Sequence, residues 1–169
     1  MVRIGLLSDT HGHVDPRLET VFAGVDEIWH AGDIGTVEVA EFLSSLKPFR
    51  AVFGNIDGQE LRKRYPEKLR FRCEEVEVLI IHIGGYPGRY DRRVRDELRE
   101  APPGLFISGH SHILKVMYDK KLGFLHINPG SAGVSGFHQQ RTVVRFVIDR
   151  ANIRDLEVVE LGPRSRIVT

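Results

Sequence analysis

At 169 residues the chain has the length of one domain and enough sequence to bury a substantial core. Its 41% hydrophobic and 28% charged content exclude a disordered chain. A formal net charge of +1 excludes the large positive field on which stable nucleic-acid or acidic-membrane binding relies. The lone cysteine, Cys73, rules out an internal disulfide framework and points to a reducing, cytoplasmic setting. No apolar run approaches membrane length, and VRIGLLSD at the start is too short for a signal peptide, so no membrane partner is expected.

The first third reads as alternating strands and helices. Val2 to Ser8 is a short apolar run ending in a polar turn, the pattern of a buried strand. Asp15–Pro16 offers a helix start, followed by Leu18, Val21 and Phe22 and closed by Gly24. Glu27 to Ala31 is a second strand, broken at Gly32–Asp33. Thr36 to Leu46 is predicted helical, with Thr36 as cap and Val37, Ala40, Phe42, Leu43 and Leu46 on one face. Arg50 to Phe53 makes a third strand, ended by Gly54–Asn55.

The remainder is richer in strands. Leu69 to Cys73 and Glu75 to Ile83 are predicted strands, the second continuous enough (VLII) for a sheet interior. Asp91 to Glu100 reads as a charged helix stopped by Pro102–Pro103, and Leu105 to Ser108 as a buried strand ending at Gly109–His110. Four further strands follow: Ile113 to Tyr118, Phe124 to Asn128, Thr142 to Ile148 and Ile153 to Leu161. The fold class is α/β (α+β), two packed sheets with flanking helices, and with no repeat or linker the whole of 1–169 is expected to be a single domain.

One pattern recurs along the chain: a short apolar strand ends and a ligand-type residue follows at once. It appears in LLSDTH, WHAGD, VFGNID, LIIH and FISGHSH, with INPGS as a polar echo. In open α/β sheets sites form beyond the carboxyl ends of the strands, so Asp9, His11, Asp33, Asn55, His82, His110 and His112 are expected to converge. Taken singly each is ordinary. A DxH pair is a frequent surface accident, Gly32–Asp33 a common turn, and His82 alone would suit a satisfied core histidine. His30 and His126 also sit in apolar strands and are read as structural or supporting, and His138 as solvent-facing.

Two carboxylates, one amide oxygen and four imidazoles are too many for one tetrahedral zinc, and no thiolate takes part. They suit two divalent ions per chain, of the manganese, iron, cobalt, nickel or zinc kind. Such a pair, roughly 3.5–4 Å apart, clamps an in-line displacement at phosphorus and activates a bridging water. The chain has no G-x-S-x-G elbow and no G-x-x-x-x-G-K-[ST] loop, which sets aside nucleophilic-serine and phosphate-loop chemistry.

The ordered set DTH, GD, GNxD, H, GHSH, running from Ile4 through Ser131, resembles the calcineurin-like metallophosphoesterases, and the chain length resembles their small phosphodiesterase branch. The resemblance implies a two-sheet β-sandwich flanked by helices, the four-layer metallo-dependent phosphatase-like fold. It implies that Asp9, His11 and His112 hold one metal, that Asn55, His82 and His110 hold the other, and that Asp33 bridges them. It also implies a catalytic part for Asp33, Asn55 and His110. His13, in the loop behind Asp9 and His11, is a further candidate to meet the substrate phosphate, against the plainer reading of a solvated loop histidine. The implied substrate is a small phosphodiester or phosphate ester. Hydrolysis by a metal-bridging hydroxide is the expected mechanism.

Two departures from that family stand out. Many of its phosphatases carry histidine where this chain has Ile56 in GNID, which disfavours monoesters with poor leaving groups. A glycine usually follows the strand-end histidine, whereas here Ile83 follows His82. Asp57 is expected to orient His82 or another ligand, and Asn128 to Ser131 to shape a turn under the site. Arg89, Tyr90 and Arg92, after a flexible GGYPG loop, read as a solvated charge run. A non-catalytic interaction scaffold of the same fold, a phosphomonoesterase and a nuclease are the rival functions. A homo-oligomer is left open.

Overall fold

The computed structural model describes residues 1–165; residues 166–169 of the expected domain lie outside the described residues. In chain order the strands are β1 (Val2–Leu7), β2 (Glu27–His30), β3 (Phe49–Ala51), β4 (Lys68–Cys73), β5 (Val76–Ile81) and the two-residue pair β6 (Gly85–Tyr86) and β7 (Arg89–Tyr90). They continue with β8 (Leu105–Ile107), β9 (Lys115–Asp119), β10 (Phe124–Asn128), β11 (Gln140–Asp149) and β12 (Asn152–Pro163). The helices are α1 (Leu18–Val21), α2 (Val37–Leu46), α3 (Gln59–Arg64) and α4 (Arg95–Glu100).

Two five-stranded sheets carry the fold, in the orders β12-β11-β1-β2-β3 and β4-β5-β8-β10-β9. Each contains a run of three parallel strands: β1, β2 and β3 at one side of the first sheet, and β5, β8 and β10 in the middle of the other. Antiparallel strands complete them, β11 and β12 on the first sheet and β4 and β9 at the two edges of the second. Parallel strands are normally covered on both faces, and these are. Between the sheets lie Ile4, Leu6, Trp29, Val78, Ile80, Ile107, Val144 and Phe146. On the outer face of the first sheet, Leu7, Ile28 and Val143 meet Val39 and Leu43 of α2 and Leu61 of α3. On the outer face of the second, Leu79, Ile81 and Phe106 meet Leu98 of α4. The VLII run is thus continuous because Val78 and Ile80 face one layer while Leu79 and Ile81 face the next. The result is the expected four-layer arrangement of two sheets flanked by helices.

Several expectations need adjusting. The helix read from Asp91 begins at Arg95: the Asp91 carboxylate accepts the Arg93 N–H (2.9 Å) and holds the preceding residues in a turn. Thr36 precedes α2 but makes no side-chain capping bond. The helix α3 and the β6–β7 pair are additions to the sequence reading. GGYPG is not a flexible loop but a hairpin, turned by Pro87 and by Gly88 at φ +91°, where a type II turn needs glycine. Among the described residues no helix is long and apolar enough to cross a membrane.

Candidate metal centre

All six parallel strands point their carboxyl ends at one edge. Asp9 and His11 follow β1, Asp33 follows β2, Asn55 follows β3, His82 follows β5, and His110 and His112 follow β8. From the sixth, β10, come Asn128 and the buried Ser131, whose hydroxyl donates to the Asp9 carbonyl (2.9 Å). Asn128 Nδ2 donates to the Gly109 carbonyl (3.1 Å) and to Ser111 Oγ (3.0 Å), so the NPGS turn does brace the site from below. Backbone pairing also outlasts the strands. Asp9 N–H donates to Gly32 O, His11 N–H to Asp33 O and Gly12 N–H to Ile34 O, at 2.8–3.0 Å.

The backbone at these positions is unusual. Asp9, His11, Asp33, His110 and His112 have φ of 55°, 45°, 55°, 71° and 62°. Left-handed conformation costs a non-glycine residue roughly 1–2 kcal/mol. Three other non-glycine residues share it among those described, Glu74, Arg150 and Asp155, at tight turns or irregular strand positions. Five of the seven ligand candidates are therefore held in a conformation that only the surrounding hydrogen bonds and packing enforce, as is common where chemistry dictates side-chain placement.

The side chains form two groups of potential ligand atoms: Asp9, His11 and His112, and Asp33, His82 and His110. Asp33 Oδ2 lies 3.4 Å from His11 Nε2 and 3.1 Å from His82 Nε2, so it reaches both groups. Asp9 Oδ1 lies 3.2 Å from His112 Nε2 and 3.7 Å from both His11 Nε2 and His82 Nε2. Ser8 Oγ (2.7 Å) and the His110 N–H (3.2 Å) both donate to the other Asp9 oxygen, which orients the carboxylate. Asp9 and His82 are almost wholly buried. The buried atoms Asp9 Oδ1, His11 Nε2 and His82 Nε2 have no hydrogen-bond partner. Leaving such atoms unpaired in a protein interior costs several kcal/mol in sum, unless something binds there.

Ring tautomers follow from the partners. His82 Nδ1 donates to the Ala31 carbonyl (2.8 Å), which leaves Nε2 as the nitrogen turned toward Asp33. This is the arrangement metal-binding histidines adopt, and Ile83 does not disturb it. His30 differs: its Nδ1 accepts the Gly32 N–H (3.0 Å) and its Nε2 pairs with Thr10 Oγ1 (3.0 Å), so both nitrogens are used. Burial holds its pKa down at about 3. At the mouth, exposed His110 places Nδ1 3.0 Å from Asn55 Oδ1, joining the two residues expected on one ion. His13 belongs to neither group. Its imidazole makes no hydrogen bond among the described residues, and burial together with Arg141 lowers its pKa.

Two expectations are corrected. His138 is not solvent-facing: its Nε2 donates to the Gly133 carbonyl (2.8 Å), and its Nδ1 faces His112 Nδ1 at 3.3 Å. That relay keeps the His112 Nδ1 proton in place and turns His112 Nε2 toward Asp9. No local pattern announces it, because the contact spans 26 residues. Asp57 does not touch His82. Its carboxylate accepts the N–H groups of Ile34 (3.2 Å), Gly35 (2.8 Å) and Gly54 (2.8 Å), tying the loop after β2 to the loop after β3.

Close approach explains two of the motif glycines. A Cβ on Gly54 would sit 2.1 Å from Asp33 Oδ1, and one on Gly32 would sit 2.7 Å from the His82 ring. The cluster is also an electrostatic unit. Asp33 and then Asp9 raise His11 to about 9. Burial alone would raise both carboxyls, but the imidazoles of His11 and His112 on Asp9, and of His11 and His82 on Asp33, hold them well below the usual carboxylate range. Removing water and metal from such a site leaves acids and imidazoles competing for the same protons.

A family model described as the calcineurin-like phosphoesterase superfamily domain matches residues 2–151, and the chain belongs to that superfamily. A probable metallophosphoesterase of Methanothermobacter thermautotrophicus is 29% identical over 166 residues, covering 94% of this chain and 92% of that protein. Among solved structures, an archaeal phosphodiesterase superposes with a TM-score of 0.72 at 21% identity, covering 93% of this chain and 99% of that one. Wild-type Vps29 of Entamoeba histolytica, in complex with Zn2+, superposes with a TM-score of 0.70 at 17% identity over 94% and 98% of the two chains. At those identities the solved structures establish the fold.

Proposed function

We propose that the chain hydrolyses phosphodiester bonds with two divalent cations. Asp9, His11 and His112 would hold one and Asn55, His82 and His110 the other, with Asp33 shared. The observation that carries this reading is the trio of buried, unpartnered atoms, Asp9 Oδ1, His11 Nε2 and His82 Nε2, gathered around Asp33. A scaffold with no metal chemistry would gain nothing from that cost. Imidazole and carboxylate donors with one amide oxygen and no thiolate fit manganese, nickel, cobalt, iron or zinc, with manganese proposed first. Bound there, such ions would polarise a phosphoryl oxygen and make a water acidic enough to attack phosphorus.

The chain's own residues supply placement. Asp33 keeps the two groups in register, and Asp57 holds the loop of Asp33 against the loop of Asn55. His110 and Asn55, exposed at the mouth, meet an incoming phosphate. Ile56 beside them is 46% exposed and offers no proton to a leaving group, which favours diesters over monoesters with poor leaving groups. The single buried Cys73 supports a cytoplasmic setting.

The test is hydrolysis of bis-p-nitrophenyl phosphate and p-nitrophenyl phosphate after metal stripping and resupply with manganese, nickel, cobalt or zinc. The diester should be hydrolysed faster, and only with metal. No hydrolysis of either compound with any metal overturns the enzymatic reading; a clear preference for the monoester overturns the diester assignment.

A further inference from the structure

Beside His110 lies a cavity of about 760 Å3, within the size range of small-molecule sites. Gly109, His110 and Ser111 line its near end, so it opens onto the candidate metal centre. The β6–β7 hairpin forms one wall and presents Tyr86 and Arg89, with Arg92 close behind. The hairpin is anchored: the Tyr90 hydroxyl donates to Asp119 (2.5 Å), and the Tyr90 ring packs against Phe106 and Phe124 at centroid distances of 5.7 and 5.9 Å. Lys115 of β9 closes another side, its Nζ 4.3 Å from the centre of the Tyr86 ring.

Charge and hydrogen bonding at this cavity remain unanswered within the chain. Among the described residues Arg89, Arg92 and Lys115 have no carboxylate within 4.0 Å, and the one acid on the lining, Asp91, is held by Arg93 (2.9 Å). Three uncompensated cations in a chain of net charge +1 mark a local demand for an anion. A second demand comes from His126, which lines the cavity and is wholly buried. Its Nδ1 donates to the Phe106 carbonyl (3.2 Å), so Nε2 carries the lone pair, and Nε2 has no partner. Burial keeps this ring neutral, its pKa lowered to about 4. An N–H or O–H donor would satisfy it; a simple anion or an alkyl arm would not.

From these features we infer that the cavity is a subsite for a nucleotide arm of the substrate: one ester group of the scissile diester is a nucleoside bearing a further phosphate. Arg89, Arg92 and Lys115 take the added phosphate. A sugar hydroxyl or base amine donates to His126 Nε2, and Tyr86 offers a flat surface to the base. The inference rests on the diesterase reading above for its chemistry, and extends it to the substrate class.

The probes are the p-nitrophenyl ester of thymidine 5′-phosphate and the same compound carrying a 3′-phosphate. In each, water adds to phosphorus and the bond to the p-nitrophenyl oxygen breaks, giving a thymidine nucleotide, p-nitrophenolate and a proton. The 3′-phosphorylated probe should show a kcat/KM higher by roughly ten- to a hundredfold, the range of one or two charge-assisted hydrogen bonds. The triple variant Arg89→Gln/Arg92→Gln/Lys115→Gln should lose that advantage while hydrolysing bis-p-nitrophenyl phosphate at the wild-type rate. Equal kcat/KM for the two probes in the wild type, or an advantage that survives the triple substitution, overturns the subsite. Calorimetric titration with thymidine 3′,5′-bisphosphate separates the two readings. Binding to the wild type but not to the triple variant, in a protein that hydrolyses no diester, keeps the subsite and discards the diesterase. No difference between the two proteins discards the subsite.

Discussion

Asp57→Asn is the substitution that most cleanly isolates placement from chemistry. Asp57 is 3% exposed and lies outside both ligand groups, yet its two oxygens accept three backbone N–H groups. Oδ2 serves Ile34 and Gly54, and Oδ1 serves Gly35. The asparagine amide has to turn its NH2 toward one of these donors. The least costly choice sacrifices the Gly35 bond, loses one charge-assisted hydrogen bond worth about 1.5–3 kcal/mol, and weakens the other two to neutral bonds. A loss of about 3 kcal/mol follows, or roughly 6–12 °C in Tm for a chain of this size. The damage should also be local. Ile34 and Gly35 follow Asp33, and Gly54 packs directly against its carboxylate, so metal affinity should fall together with stability. Urea unfolding combined with metal analysis after dialysis measures both. An Asp57→Asn protein within about 0.5 kcal/mol of wild type, the usual range for inert surface changes, with full metal content would refute the placement argument.

Other outcomes follow from the same geometry. At His110 the backbone is left-handed and the side chain exposed, so His110→Gly should be more stable than His110→Ala by about 1 kcal/mol, a reversal of the usual glycine penalty readable in denaturant melts. His138→Ala should weaken metal binding by about 10–100-fold through loss of the His112 tautomer, while His138→Gln should recover part of it; unchanged affinity in the alanine variant would sink that role. In metal-free protein His11 titrates at about 9 against an unfolded value near 6.5. Its contribution to stability is therefore complete below pH 6.5 and lost as pH rises to 9, so chelator-treated protein should weaken across that window. Metal binding should release protons over the same range, visible as a buffer-dependent heat in calorimetry.

Much of the fold was legible because parallel strands buried on both faces leave unbroken apolar runs. GLL, EIWH, VLII and LFI each stand out for that reason, and a ligand residue follows each at the point where the strand leaves the core. The features without a sequence signature are short or non-local. The helix α3 buries only Leu61 and has no stripe to read, and β6 and β7, at two residues each, are too brief for alternation. Asp57 lies within the GNID motif, but its partners are backbone groups on another loop. His138 depends on a contact that no spacing rule generates. The left-handed backbone at Asp9, His11, Asp33, His110 and His112 was equally hidden, since aspartate and histidine tolerate that region without advertising it.

The central claim is that the ends of the parallel strands build two adjoining metal positions. Anomalous diffraction from crystals grown with manganese, recorded above and below the metal edge, tests it directly. Two peaks are predicted, one among Asp9, His11 and His112 and one among Asn55, His82 and His110, with Asp33 in reach of both. A single peak, or peaks away from these seven residues, would contradict it.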